Sequence, residues 1–127
     1  MKREVTKLSD AEFDLMSLIW DLEPPVTTAM LQDRIQKQGM TEWKPQTILT
    51  FLSRMERKGF LISEKRGRER FYRALVSREA YLQFETESFM KRYHRNSLVS
   101  LVDSFRTDDI SEQDVAELEK WLKEREE

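Results

Sequence analysis

From Trp43 to Leu61 the chain reads Trp-Lys-Pro-Gln-Thr-Ile-Leu-Thr-Phe-Leu-Ser-Arg-Met-Glu-Arg-Lys-Gly-Phe-Leu, and this run limits the possible folds more than any other. Pro45 suits the first turn of a helix, where its missing N–H would have had no partner. Ile48, Phe51, Leu52 and Met55 recur at helical spacing and make one apolar stripe. Gln46, Thr47, Leu49, Thr50, Ser53 and Arg54 fall on the opposite face. Gly59 ends the helix after Arg57 and Lys58, two cations placed at the negative end of its dipole. The spacing predicts a helix from Pro45 to Lys58 that is buried on one side. A short, mostly polar outer face with flanking cations fits the major groove of DNA.

The next residues extend this pattern. Leu61–Lys65 reads as a strand, Arg66–Glu69 as a turn and Arg70–Leu75 as a returning strand. Lys65, Arg66, Arg68 and Arg70 cluster at the tip of the resulting hairpin. Two helices are predicted upstream. Ser9 and Glu12 form a capping box for the first, which carries Phe13, Met16, Leu18, Ile19 and Trp20 and stops at Pro24-Pro25. Thr27 or Thr28 caps the second, which runs through Met30, Leu31 and Ile35 to Gly39. A second helix, a loop, a third helix and a basic-tipped hairpin follow the order of a winged helix-turn-helix domain, with the recognition helix second in the unit.

On this reading Gln46, Thr47 and Thr50 meet base edges or nearby phosphates, and Lys44 and Arg54 grip the backbone. Lys65, Arg66, Arg68 and Arg70 clamp a flanking strand, and Leu49 and Lys58 complete the surface. Nine Lys and Arg against three Glu give the window from Lys44 to Arg73 a charge of +6, whereas the whole chain carries −2. A protein-binding winged-helix module is the alternative, because a charge run is often only a solvated face. Thr47, Thr50 and Ser53 weigh against it, since Glu, Lys and Ala would favour an exposed helix better.

Proline and glycine occur only at positions 24, 25, 39, 45, 59 and 67, so the last sixty residues should be mostly helical. Charge divides the chain similarly. Residues 1–75 hold 14 basic and 11 acidic groups, and residues 76–127 hold 8 and 13. The expected organisation is a DNA-binding domain over 1–76 and a helical dimerisation domain over 77–127. Ser77 caps a helix to about Arg95 that carries Leu82, Phe89, Met90 and Tyr93. Leu98, Val99, Leu101, Val102 and Phe105 form a second apolar run. Ser111 with Asp114 caps a last helix bearing Val115, Leu118 and Leu122. About fifty residues cannot enclose this much apolar surface alone, so a symmetric homodimer is expected. The fold class is mainly α with a small β-hairpin wing.

Other function classes find little support. His94 is the only histidine, which removes a catalytic triad and a multi-histidine metal site. It is expected at the surface or an interface. There is no cysteine, hence no disulfide or thiolate metal site. Asp108-Asp109 and Glu126-Glu127 read as solvated charge, and three scattered glycines make no phosphate cradle. No catalytic residue, metal or cofactor is expected. Phe13, Trp20, Phe51, Phe60, Phe71 and Phe105 mostly fall on periodic positions that favour core packing over base stacking. The stretch Met-Lys-Arg-Glu-Val-Thr-Lys lacks an apolar signal region, and the expectation is a soluble cytoplasmic protein.

The chain resembles the penicillinase-repressor (BlaI/MecI/CopY) family. The resemblance rests on Leu8–Trp20, on Trp43-Lys44-Pro45-Gln46-Thr47-Ile48 with Arg54, Lys58 and Gly59, on Phe71-Tyr72, and more loosely on Leu98-Val99. It implies a dimeric winged-helix repressor on palindromic operators. In the antibiotic-resistance members it also implies release by proteolysis under cell-wall antibiotic stress, with a membrane sensor metalloprotease as partner. Ser104–Phe105 occupies the place of the cleaved bond, with Ser for the usual Asn. The family often has Ser at Lys44, Lys at Gln46 and Arg or Gln at Leu49. Leu49 cannot hydrogen-bond a base and at best touches a thymine methyl. Copper-responsive members carry a C-terminal cysteine cluster, which this chain lacks.

Overall fold

The structure is a computed structural model that describes residues 5–40 and 42–126. Met1–Glu4 of the N-terminal stretch and Glu127 of the terminal acidic pair lie outside the described residues. The elements run α1 (Asp10–Asp21), β1 (Val26–Thr27), α2 (Thr28–Lys37), α3 (Pro45–Arg57), β2 (Leu61–Arg66), β3 (Glu69–Ala74), α4 (Arg78–His94), α5 (Leu98–Asp103), a 3-10 turn (Thr107–Asp109) and α6 (Glu112–Glu124). None of the helices among the described residues is long and apolar enough to cross a membrane.

Residues up to Glu85 form one compact unit and those from Thr86 a second. In the first, Ser9 caps α1 and Glu12 completes the capping box. Thr27 caps α2 by accepting from the Met30 N–H. Leu15, Met16, Leu18 and Ile19 of α1, Leu31 and Ile35 of α2, and Ile48, Leu52 and Met55 of α3 are all buried. They meet Val26, Phe60, Leu61 and Tyr72 from the sheet side in one core. Gly59 closes α3 at φ +86°. This lets the Phe60 N–H reach the Met55 carbonyl at 2.9 Å and the Gly59 N–H reach the Glu56 carbonyl at 3.0 Å, a Schellman closure that delivers Phe60 into the core.

The sheet has three antiparallel strands in the order β1-β3-β2. Each hairpin strand begins or ends one residue closer to the turn than expected, leaving Gly67-Arg68 as a two-residue loop between the paired Arg66 and Glu69. Gly67 holds φ +64°, as the first position of such a turn requires. Strand β1, which pairs Val26 with Tyr72 and Thr27 with Phe71, was not expected. Two residues are too short for an alternating pattern to register.

The charge break suggested a boundary at 76/77, yet the first two turns of α4 pack with the winged helix. Tyr81 is fully buried. Its hydroxyl accepts from the Leu8 N–H at 2.8 Å, and its ring lies 5.6–6.1 Å from the rings of Phe13, Trp20, Phe60 and Phe84. Arg78 adds hydrogen bonds to the Ser17 carbonyl and to Asp21. Leu82, expected at a dimer interface, is therefore on the exposed side of a segment that belongs to the first unit.

The second unit contains the end of α4, then α5 and α6. Ser111 and Asp114 form the expected capping box on α6, and their hydrogen bonds hold the Asp114 carboxyl below its ordinary range. The Phe89 and Tyr93 rings meet at a tilt, with centroids 5.2 Å apart. His94 is half-buried, with Nδ1 2.9 Å from the Ser100 hydroxyl. Helix α5 is shorter than the apolar run from Leu98 to Phe105. It stops at Asp103 because Ser104 caps it, with its hydroxyl donating to the Leu101 carbonyl at 2.6 Å. Phe105 thus lies outside the helix and is exposed, contrary to a core role.

Candidate nucleic-acid interface

Lys44 is the N-cap of helix α3 but its side chain makes no capping hydrogen bond, and Pro45 follows in the first turn. The missing cap hydroxyl leaves the Lys44 side chain exposed beside the helix N-terminus. Trp43 secures the entry instead, meeting Phe51 edge-on at 5.3 Å between ring centroids. Since Phe51 also rests half-buried against the core, the pair fixes how the chain enters the helix.

The outer face of α3 carries a shallow depression lined by Gln46, Leu49, Thr50, Ser53, Arg54 and Arg57. All six are exposed, while Thr47 lies half-buried at its edge. The Thr50 hydroxyl donates to the Gln46 carbonyl at 3.0 Å. The Arg54 guanidinium sits 5.1 Å from the centre of the Phe51 ring, which holds its charge at the rim of the depression. Ser53 and Arg57 extend the face beyond the expected contact residues. Their spacing from Gln46, Leu49 and Thr50 is helical, so the period that identified the face also contained them.

Lys58 is separated from this set. Its ammonium contacts Glu12 Oε1 at 2.7 Å, and the same oxygen accepts from the Ser9 N–H at 2.8 Å. Glu12 is only 2% exposed. Burial pushes its carboxyl upward, but the hydrogen bonds from Lys58 and Ser9 and the Lys58 charge outweigh burial and hold it below its usual 4.5. The helical period again explains the difference: Lys58 follows Met55 by three and Phe51 by seven, on the core side. A carboxylate in α1 thereby ties down the C-terminal end of α3.

On the wing, Arg66 pairs with Glu64 at 3.2 Å and lies over the Phe71 ring at 5.1 Å. Arg70 donates to the Ser63 hydroxyl at 2.9 Å. Among the described residues Lys44, Arg57, Lys65, Arg68 and Arg73 make no ion pair. The sheet register puts Lys65 across from Arg70, two like charges side by side. Such a pair is unfavourable in isolation.

A penicillinase repressor family profile matches residues 8–124. The penicillinase repressor of Bacillus licheniformis is 29% identical over 123 residues, covering 96% of this chain and 94% of that protein. The methicillin resistance regulatory protein MecI of Staphylococcus aureus (strain N315) is 28% identical over 124 residues, covering 96% and 98%. The solution structure of the DNA binding domain of the repressor BlaI matches with a TM-score of 0.53 and 30% identity, covering 63% of this chain and 94% of that one. The monomeric form of B. licheniformis BlaI in complex with the blaP half-operator matches with a TM-score of 0.50 and 31% identity, covering 61% and 92%. With its winged-helix architecture and a family match running from α1 to α6, the chain belongs to the penicillinase repressor family.

Proposed function

We propose that this chain is a homodimeric transcriptional repressor that reads palindromic operator DNA with α3 and grips the flanking backbone with the β2–β3 wing. The observation that carries this reading is the exposed face of α3, where groove-sized polar side chains stand beside Lys44, Arg54 and Arg57 on a helix locked to the core by the opposite face. A helix held in this way presents its outer side chains without reorganisation, and the unpaired wing cations supply the phosphate contacts that set register. The solved BlaI half-operator complex supports the same use of this fold. Mobility shift of the full chain on duplexes recovered from a random library, repeated across salt concentrations, tests it. Released counterions make affinity fall steeply with salt. Failure to retain any duplex, or affinity insensitive to salt, replaces this reading with that of a protein-binding module.

The dimer rests on the second unit. Leu98, Val99, Val102, Phe105, Val115, Leu118 and Leu122 are each at least 40% exposed, more apolar surface than a small helical unit leaves to water. A second copy covers these faces and sets two α3 helices about 34 Å apart, one turn of the duplex. Release proceeds by cleavage at Ser104–Phe105 by a membrane sensor metalloprotease under cell-wall antibiotic stress. The structure supports access to this bond, since it lies at the exposed C-cap of α5 rather than within a helix. Co-expression with a membrane protease from the same gene neighbourhood, followed by mass mapping of fragments, tests the cut. An intact chain that still leaves its operator overturns it.

A further inference from the structure

We infer that Leu49, with Thr50 beside it, is an apolar reader of the C5-methyl group of a thymine in each half-site, an inference that rests on the DNA-reading role of α3 proposed above. Leu49 is 46% exposed and lies within the depression on the outer face of α3, between Gln46 on one side and Ser53 and Arg54 on the other. A lone exposed leucine is ordinary on a protein surface. This one stands on the outward strip of the helix that the fold aims at a partner, and its neighbour sharpens the point. The Thr50 hydroxyl hydrogen is engaged by the Gln46 carbonyl at 3.0 Å, so it is not offered to the acceptors on a base edge. Leu49 therefore presents hydrocarbon at the centre of the face, while Gln46, Ser53 and Arg54 carry their donors around it.

In the major groove only thymine presents a methyl group. Cytosine has only hydrogen at that carbon, so it offers an apolar side chain no methyl to contact. Uracil matches thymine in every hydrogen-bonding group and differs only in the missing methyl, so it isolates the contact. Removing one buried methyl weakens binding about fourfold per half-site, or about fifteenfold when both half-sites are altered.

The test uses the full chain and duplexes that it enriches from a random library. Each thymine is replaced symmetrically by deoxyuridine, and affinity is measured for the wild-type chain, Leu49→Ala and Leu49→Gln. The wild-type chain should show one symmetric position with a penalty of about fifteenfold. Both variants should lose the penalty at that position while keeping the selection imposed elsewhere. Both should also fold, because residue 49 is exposed and alanine and glutamine are good helix formers. Absence of any uracil-sensitive position, or the same penalty in Leu49→Ala, overturns the inference. Failure of the wild-type chain to enrich any sequence overturns the DNA-reading role itself.

Discussion

The two units of this chain are both helical, capped and rich in apolar residues, yet they differ in where those residues go. Among the described residues fifteen hydrophobic side chains are buried, from Leu8 to Tyr81, and none after Tyr81 is buried. Helix α1 puts Leu15 and Met16 fully out of water. Helix α6, of similar length and with an equally complete capping box, leaves Val115, Leu118, Trp121 and Leu122 between 45% and 50% exposed. Capping and periodicity decide that a helix forms and which side is apolar. They do not supply the surface that covers it. The first unit covers its apolar faces itself, and the second leaves its own exposed.

The largest expected effect follows from separating the units at the boundary between them. A fragment of residues 1–85 should fold and sediment as a monomer, while the full chain sediments as a dimer. Losing the link between two half-sites should weaken operator binding by roughly 100- to 10,000-fold. A fragment that still dimerises would end the contrast between a self-covered unit and an uncovered one. A fragment cut at 76 adds a sharper control, because it also removes Tyr81 and should be markedly less stable than 1–85.

Tyr81 itself comes next. Tyr81→Ala should destabilise the first unit by about 3–5 kcal/mol through the cavity left among four aromatic neighbours. Tyr81→Phe should cost about 1–3 kcal/mol, because the buried Leu8 N–H loses its acceptor. Urea melts of the 1–85 fragment measure both. A small effect for Tyr81→Ala would show that α4 is dispensable to the winged helix.

The Glu12–Lys58 pair gives a smaller, more specific effect. Lys58→Met leaves a buried carboxylate without its cation and should cost about 1–3 kcal/mol, less than a fully buried pair because the lysine side chain is partly solvated. As a positioning residue, Lys58 should lower operator affinity when replaced without changing the salt slope. A slope lowered by about 1 would make it a phosphate ligand instead. The pH dependence has a definite sign. The native Glu12 pKa is below its ordinary value, so the stabilisation is complete above about 4.5 and is lost as pH falls through the native value. Glu12→Gln should flatten the acid limb of the stability curve. An unchanged limb would remove Glu12 from the acid response.

The wing should show the smallest effects. Arg68→Ala and Arg70→Ala should weaken operator and random DNA alike, and removing each phosphate interaction should lower the log–log salt slope by roughly 1. Stability should barely change, since both side chains are exposed. An unaltered salt slope in the double variant would remove the wing from the DNA-gripping surface.

Much of the first unit was legible in the sequence because its signals are local. Ser9 with Glu12, Thr27, Pro45 and Gly59 each act within one helical turn, and the stripe through Ile48, Leu52 and Met55 depends only on helical period. The outer face of α3 followed from the same period, as did the basic hairpin from its alternating residues and Gly67. What the sequence left open depends on residues far apart in the chain. Strand β1 exists because β3 offers it a partner, not because two residues prefer a strand. Tyr81 resembles the other aromatics of α4 until the chain brings it to Leu8. Lys58 reads as one more cation beside DNA until α1 sets Glu12 against it. In each case the deciding partner lies more than forty residues away, and only the tertiary structure could determine which side chains share a buried environment.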